Sequence, residues 1–183
     1  MTQNEGMFEQ NGIRLRIIEE RDLEQLRRLR NDPSTWINLT HVDLIDAESQ
    51  KRWFQSLTSQ KDRKYYAVED GNEGFLGMIR TDEIDRNNRS IRVGCDIVPE
   101  QRGKGFGSKA FGAIVTYCFD FLNMHRVWLA VLETNSVAQR LYEKHGFKKE
   151  GAYRQALFRD GRYYDYIIMS LLEEEFRGQQ TNA

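Results

Sequence analysis

The feature that most narrows the folds open to this chain lies between residues 90 and 132. It is an alternating strand, a glycine-rich turn, a long amphipathic helix and a nearly continuous apolar strand. Over 90–98, Ile91, Val93, Cys95 and Ile97 share one face, the period-two spacing of a strand. Phe111, Ile114, Val115, Cys118, Phe119 and Leu122 then recur at helical spacing and give a wide apolar stripe. Residues 127–132 are almost uniformly apolar, as a central strand should be. A strand–helix–strand crossover therefore occupies the middle of a sheet.

The flanks read as hairpins and shorter helices. Residues 13–18 alternate apolar and basic side chains and read as a strand. Leu23, Leu26 and Leu29 mark a helix over about 20–30, stopped by Asn31-Asp32-Pro33. Arg27, Arg28 and Arg30 read as its solvated face. Asp46 is placed to cap a second helix through Trp53, Phe54 and Leu57. Strands over 65–69 and 75–84 meet at Asp70-Gly71-Asn72, and 85–88 is a polar turn. Ser136 caps a helix that ends at Gly146, and strands near 151–158 and 163–171 flank Asp160-Gly161. The order β-α-α-β-β-β-α-β-α-β-β predicts an α/β chain of mixed α+β character. It would have a twisted mixed sheet of about seven strands with helices on both faces. Without repeats or linkers, residues 1–183 read as one domain with its core in about 13–172 and frayed ends.

Composition removes several function classes. Lysine and arginine total 27 against 28 acids, a net charge of −1, so no overall basic field exists to hold nucleic acid. No apolar run approaches the roughly 20 residues that span a bilayer, and the polar N-terminus lacks the features of a signal peptide. Cys95 and Cys118 read as buried thiols of a cytoplasmic protein. The three histidines are far apart and lack ligand spacing, so no metal site is expected.

The chemistry concentrates in Val98-Pro99-Glu100-Gln101-Arg102-Gly103-Lys104-Gly105-Phe106-Gly107-Ser108. A strand ends, glycines turn the backbone and a helix begins, so unpaired N–H groups and a positive dipole end are offered to a phosphate or pyrophosphate. Arg102 and Lys104 would add charge-assisted contacts. A Walker A loop fails, because Gly-Lys is followed by Gly. A dinucleotide fingerprint through Gly105, Gly107 and Ala110 lacks the acid about 20 positions later, where Arg126-Val127-Trp128-Leu129 stands. Coenzyme A is the third candidate, and the rest of the chain favours it.

Arg-x-x-Gly-x-Gly at Arg102, Gly105 and Gly107, with Asn135-Ser136-Val137-Ala138-Gln139-Arg140-Leu141-Tyr142 and Gly146-Phe147 downstream, resembles the two hallmark segments of the GNAT superfamily of N-acetyltransferases. The resemblance covers about 13–172. It implies acetyl-CoA as donor, with the amides of Arg102, Gly103, Lys104, Gly105, Phe106, Gly107 and Ser108 on the pyrophosphate. Pantetheine would enter between splayed central strands, pair with backbone near Ile97 and Val98, and be held by Asn135. An amine would attack the thioester directly, with Tyr142 as the acid that protonates the departing thiolate. As plain structure, Asn135 is a helix-entry residue and Tyr142 a core tyrosine. Some relatives carry a glutamate base twelve residues before the tyrosine; here that position is Ala130. Asp96, Glu83, Glu133 or a water chain remain for the base.

Leu29-Arg30-Asn31-Asp32-Pro33, Trp36 and the segment from Asp160 to Asp165 resemble the RimJ/RimL-like branch, including its polyamine and amino-sugar members. The acceptor is then expected to be a small primary amine, met by loops from Trp36 to Asp46. Asp43, Asp46 and Glu48 could attract a polyamine. A ribosomal-protein N-terminus is the alternative, and a non-catalytic acyl-CoA-binding module the alternative of another class. Homodimers are common in the branch, and the C-terminal hairpin offers edges that pairing would cover.

Overall fold

The computed structural model describes residues 7–72 and 74–181. One sheet contains β1 Met7–Gln10, β2 Ile13–Ile17, β3 Lys64–Asp70, β4 Phe75–Asp85, β5 Ser90–Ile97, β6 Arg126–Leu132, β7 Lys148–Arg159 and β8 Arg162–Leu172. Their order is β1-β2-β3-β4-β5-β6-β8-β7. Among the described residues only β5 and β6 pair in parallel; the other neighbours are antiparallel. Helices α1 Leu23–Asn31, α2 Pro33–Trp36 and α3 Ala47–Ser56 precede β3. Helix α4 Phe106–Thr116 links β5 to β6, α5 Ser136–Lys144 links β6 to β7, and α6 Glu173–Thr181 follows β8.

Alternation along the strands sorts side chains into two cores. Ile79, Ile91, Val93, Val127 and Leu129 pack with Phe111, Ile114 and Cys118 of α4. Met78, next to Ile79, points to the other face and packs with Tyr65, Ala67, Leu26, Leu29 and the α3 aromatics Trp53 and Phe54. The entry to α1 is fixed by buried Arg16, which donates to Asp22 at 2.7 Å and to Glu69 at 2.8 Å. Burial pushes the Asp22 carboxyl up, but the Arg16 bonds outweigh it and hold it below the usual carboxylate range.

The mixed sheet with helices on both faces is present, with eight strands rather than about seven. The extra strand is β1, in a segment that the sequence offers as a polar tail. Asn11 and Gly12, at φ 54° and 75°, form the two-residue turn that pairs it with β2. A second difference is α6: Phe176 is buried and stacks on Phe119 at 4.7 Å, which docks a segment expected to fray. Residues 1–6 and 182–183, also assigned to the frayed ends, lie outside the described residues.

One seam of the sheet is open. Strands β5 and β6 pair only at Ser90–Arg126, Ile91–Val127 and Arg92–Trp128. Beyond that point β5 stays with β4 as far as Ile97, while β6 stays with β8 as far as Leu132. The two halves of the sheet therefore part, and backbone over 93–97 has no partner strand on the β6 side.

Candidate active site

The glycine-rich turn sits just past this seam. Gly103 and Gly105 have φ of 75° and 85°, in the left-handed region that disfavours a side chain. Gly105 is the N-cap of α4, and no side chain caps that helix. The first-turn amides of Phe106, Gly107 and Ser108 thus lie at an uncapped positive end, and a side chain at Gly103 or Gly105 would meet only open space. This is a cradle of the right chemistry for a pyrophosphate.

Arg102 is engaged differently from the sequence expectation. Its guanidinium donates to the Ile97 carbonyl at 2.8 Å, to Ser34 Oγ at 2.7 Å and to Thr35 Oγ1 at 2.5 Å. It ties the end of β5 to α2 and frames the loop, while its amide donates to the Pro99 carbonyl at 3.2 Å. The Val98 amide likewise donates to the Leu76 carbonyl at 2.9 Å. Ile97 and Val98 lie outside the cavity described next; the open strand edge begins earlier. Lys104 is exposed and donates to Gln101 Oε1 at 3.1 Å.

A cavity of about 650 Å³ occupies the seam. Gly94, Cys95 and Asp96 of β5, Ala130 and Val131 of β6, and Asn135, Ala138 and Tyr142 of the following segment line one side of it. Its far wall is Arg30 of α1, Gln50 and Trp53 of α3, the 38–45 loop and Tyr166 of β8. The loop is held from two directions. Asn31 exchanges two hydrogen bonds with the Ile45 backbone, both 2.8 Å, and Arg159 donates to the carbonyls of Ile37, Leu39 and Thr40.

Tyr142 packs its ring on Phe111 at a centroid distance of 4.8 Å, which fixes its direction. Burial, with the nearby Cys95 and Asp96, pushes its hydroxyl pKa above the ordinary tyrosine value, so it keeps its proton. Burial also raises the Asp96 carboxyl, opposed by the positive charges of Arg80, Arg30 and Arg102. It pushes the Cys95 thiol up as well, the opposite of what an attacking thiolate needs. Asn135 Oδ1 accepts from the Ala138 amide at 3.1 Å, so this residue caps α5 while bordering the cavity.

The two remaining acids stand elsewhere. Glu83 binds Arg92 Nη1 at 2.7 Å from outside the cavity. Glu133 is exposed and accepts from the Asp165 amide at 2.9 Å, locking β6 to β8. Asp46 caps α3 by accepting from the Ser49 amide at 2.9 Å, and neither it, Asp43 nor Glu48 lines the cavity. Among the described residues no group of three or more His, Cys, Asp or Glu is placed to hold a metal ion.

Sequence reasoning missed a polar wall. Arg80 and Asp82 of β4 face Gly94 and Arg92 of β5 across the ladder, and all four line the cavity. Asp82 is 1% exposed; Arg92 Nε donates to it at 2.8 Å, and Arg80 Nε lies 2.8 Å away. Arg63 Nε stands 3.8 Å from the same carboxylate. Arg30, taken from the sequence as solvated, is half-buried and lines the cavity. The available signal was the strand period: with Ile91 and Val93 on the core face, Arg92, Gly94 and Asp96 must share the other.

An open parallel seam beside an uncapped, glycine-rich helix start is an arrangement that suits a transferase using a nucleotide thioester. The model of the acetyltransferase (GNAT) domain family matches residues 13–148, and the chain belongs to that family. It is accordingly an N-acetyltransferase, with acetyl-CoA as donor and an amine as acceptor. A spermidine N(1)-acetyltransferase of Vibrio cholerae is 30% identical over 167 residues, covering 90% of this chain and 95% of that protein. The L-amino acid N-acetyltransferase AaaT of Escherichia coli K12 is 27% identical over 161 residues, covering 86% and 96%. A solved structure of the Vibrio cholerae spermidine N-acetyltransferase in complex with CoA and spermine superposes with a TM-score of 0.86 at 27% identity. It covers 92% of this chain and 99% of that one.

Proposed function

We propose that this chain works as one domain that acetylates a small-molecule primary amine by direct attack on acetyl-CoA, with Asp96 as base and Tyr142 as acid. The observation that carries the reading is that both residues line one cavity at the point where β5 and β6 part. The pyrophosphate rests on the amides of Gly103 to Ser108, and pantetheine runs along the open edge of β5 past Asn135. Asp96 takes the proton of the incoming ammonium, whose ordinary pKa is near 10. The amine nitrogen then forms a bond to the acetyl carbon, a backbone N–H on the open β5 edge receives the oxyanion, the C–S bond breaks, and Tyr142 protonates the thiolate, while the extra proton on the new amide nitrogen returns through water to the Tyr142 oxygen. Polyamines and amino acids, acceptors named for the two relatives, are both amines of this size. A ribosomal-protein N-terminus is the second reading.

The test is thiol release from acetyl-CoA against spermidine, amino-sugar phosphates, amino acids and ribosomal N-terminal peptides. Fast release with one small amine supports the reading. Tight acetyl-CoA binding without release from any of them would favour a binding module.

Asp96 carries a pH signature. Its folded pKa is raised, so over the interval above the unfolded value of about 3.9 the native state binds more protons than the unfolded one. Stability from this group is therefore greatest at low pH and falls as pH rises through the raised folded value. Asp96→Asn should raise Tm at pH 7.5, show little gain near pH 4, and lower kcat by roughly 10²-fold or more. Thermal melts at the two pH values and a kcat–pH profile measure this; an unchanged profile would remove Asp96 as base.

A cytoplasmic location belongs to the same reading, supported by two free thiols and by the lack, among the described residues, of a helix long and apolar enough to cross a membrane. So does self-association along the β7–β8 hairpin: among the described residues its edge strand β7 pairs only with β8, and the hairpin leaves Tyr153, Phe158 and Tyr163 more than half exposed.

A further inference from the structure

We propose that the amine acetylated here carries an anion, and that Arg30, Arg63, Arg80 and Arg92 form a subsite for its carboxylate or phosphate. The inference rests on the acetyl-transfer reading and narrows its acceptor.

The charges lining the cavity do not balance. Four guanidiniums face it, against Asp82 and Asp96 within and Glu83 on the outer side of Arg92. Three of the four gather on one buried carboxylate, Asp82. The fourth, Arg30, makes no hydrogen bond or salt bridge with any described residue, although it is half-buried. Burial, joined by the like charge of Arg80, pulls its pKa down, opposed in part by Asp96 and Tyr65. An arginine stays charged under such a pull, so its cost persists until an anion arrives. Planar guanidinium forks match carboxylate and phosphate oxygens two at a time.

The same wall repels a polycation. Spermidine would bring further positive charge against these arginines, and the acids near the α3 entrance stand off the cavity. The strand period also sets a spacing. Arg80 lies opposite Gly94, two residues from Asp96 along β5, or about 7 Å. An amine delivered to Asp96 would place an anion on the arginines only if several bonds separate the two groups.

The experiment compares matched amines that differ by the anion: glucosamine with glucosamine 6-phosphate, and cadaverine with lysine. The expected result is a kcat/KM at least tenfold higher for one anionic member than for its partner, expressed mainly in KM. Arg30→Gln should remove most of that preference while leaving the KM for acetyl-CoA unchanged; Arg63→Gln, at a more exposed position, repeats the test on a second residue. Faster turnover of cadaverine, spermidine or a ribosomal peptide than of every anionic small amine would overturn the proposal, as would a preference that survives both variants. If no amine releases thiol, the transfer reading fails separately, and calorimetry on the CoA-saturated protein decides the subsite. Tighter binding of glucosamine 6-phosphate than of glucosamine upholds it, and equal binding overturns it.

Discussion

Tyr142→Phe should lower kcat by roughly 10- to 10⁴-fold while leaving the affinity for acetyl-CoA nearly unchanged. The substitution removes one oxygen and keeps the ring that packs on Phe111 and Phe147, so the fold has no cavity to collapse into. Tyr142 lines the seam with Cys95 and Asp96, and the proposed mechanism puts the departing sulfur there. Because burial raises its pKa, Tyr142 holds its proton through the neutral and mildly alkaline range, and no alkaline limb of the rate profile should belong to it. Single-turnover kinetics with acetyl-CoA, alongside calorimetry, separate the chemical step from donor binding. Full activity in the variant would assign the proton to another group, with water the first alternative.

Gly105→Val should weaken acetyl-CoA binding by 100-fold or more. Two effects combine. At φ 85° a β-branched residue is strained by about 1–3 kcal/mol. The new side chain would also occupy open space beside the uncapped amides of α4, the place proposed above for the pyrophosphate. Gly161→Val separates the two effects. Gly161 has φ 78° and equally open surroundings, but it turns the β7–β8 hairpin far from the loop. Both variants should lose several degrees of Tm, since each kcal/mol is worth about 2–4 °C in a chain of this size. Only the first should lose donor affinity by calorimetry; equal affinity in both would displace the donor from this turn.

What the sequence discloses follows the range of the interactions. The hairpins, the crossover and the glycine turn rest on neighbours in the chain, and periodicity exposes them. Asn11-Gly12 was equally local, but four residues of β1 are too few to show a pattern. Helix α6 begins with three glutamates that look solvated, and only the contact of Phe176 with Phe119, far back in the chain, docks it. Arg102 reads as a phosphate ligand until Ser34 and Thr35, nearly 70 residues upstream, claim its guanidinium. Arg30 stands four residues after buried Leu26, hence on the inner side of its helix, a clue visible in the sequence and outweighed by its neighbours Arg27 and Arg28. Asp96 and Tyr142 could be named, but their meeting across the seam depends on where the parallel pairing stops.

The clamp of Arg159 on the 37–40 carbonyls has a wider consequence. It joins the loop between α2 and α3 to the last hairpin, and that hairpin lies almost wholly beyond the stretch over which the family model matches. In the reading proposed above, the donor cradle lies inside the matched stretch, while one side of the acceptor wall is braced from outside it. A lineage could redraw the far wall by exchanging a hairpin tip and a loop, and so change what is acetylated without disturbing how the thioester is held.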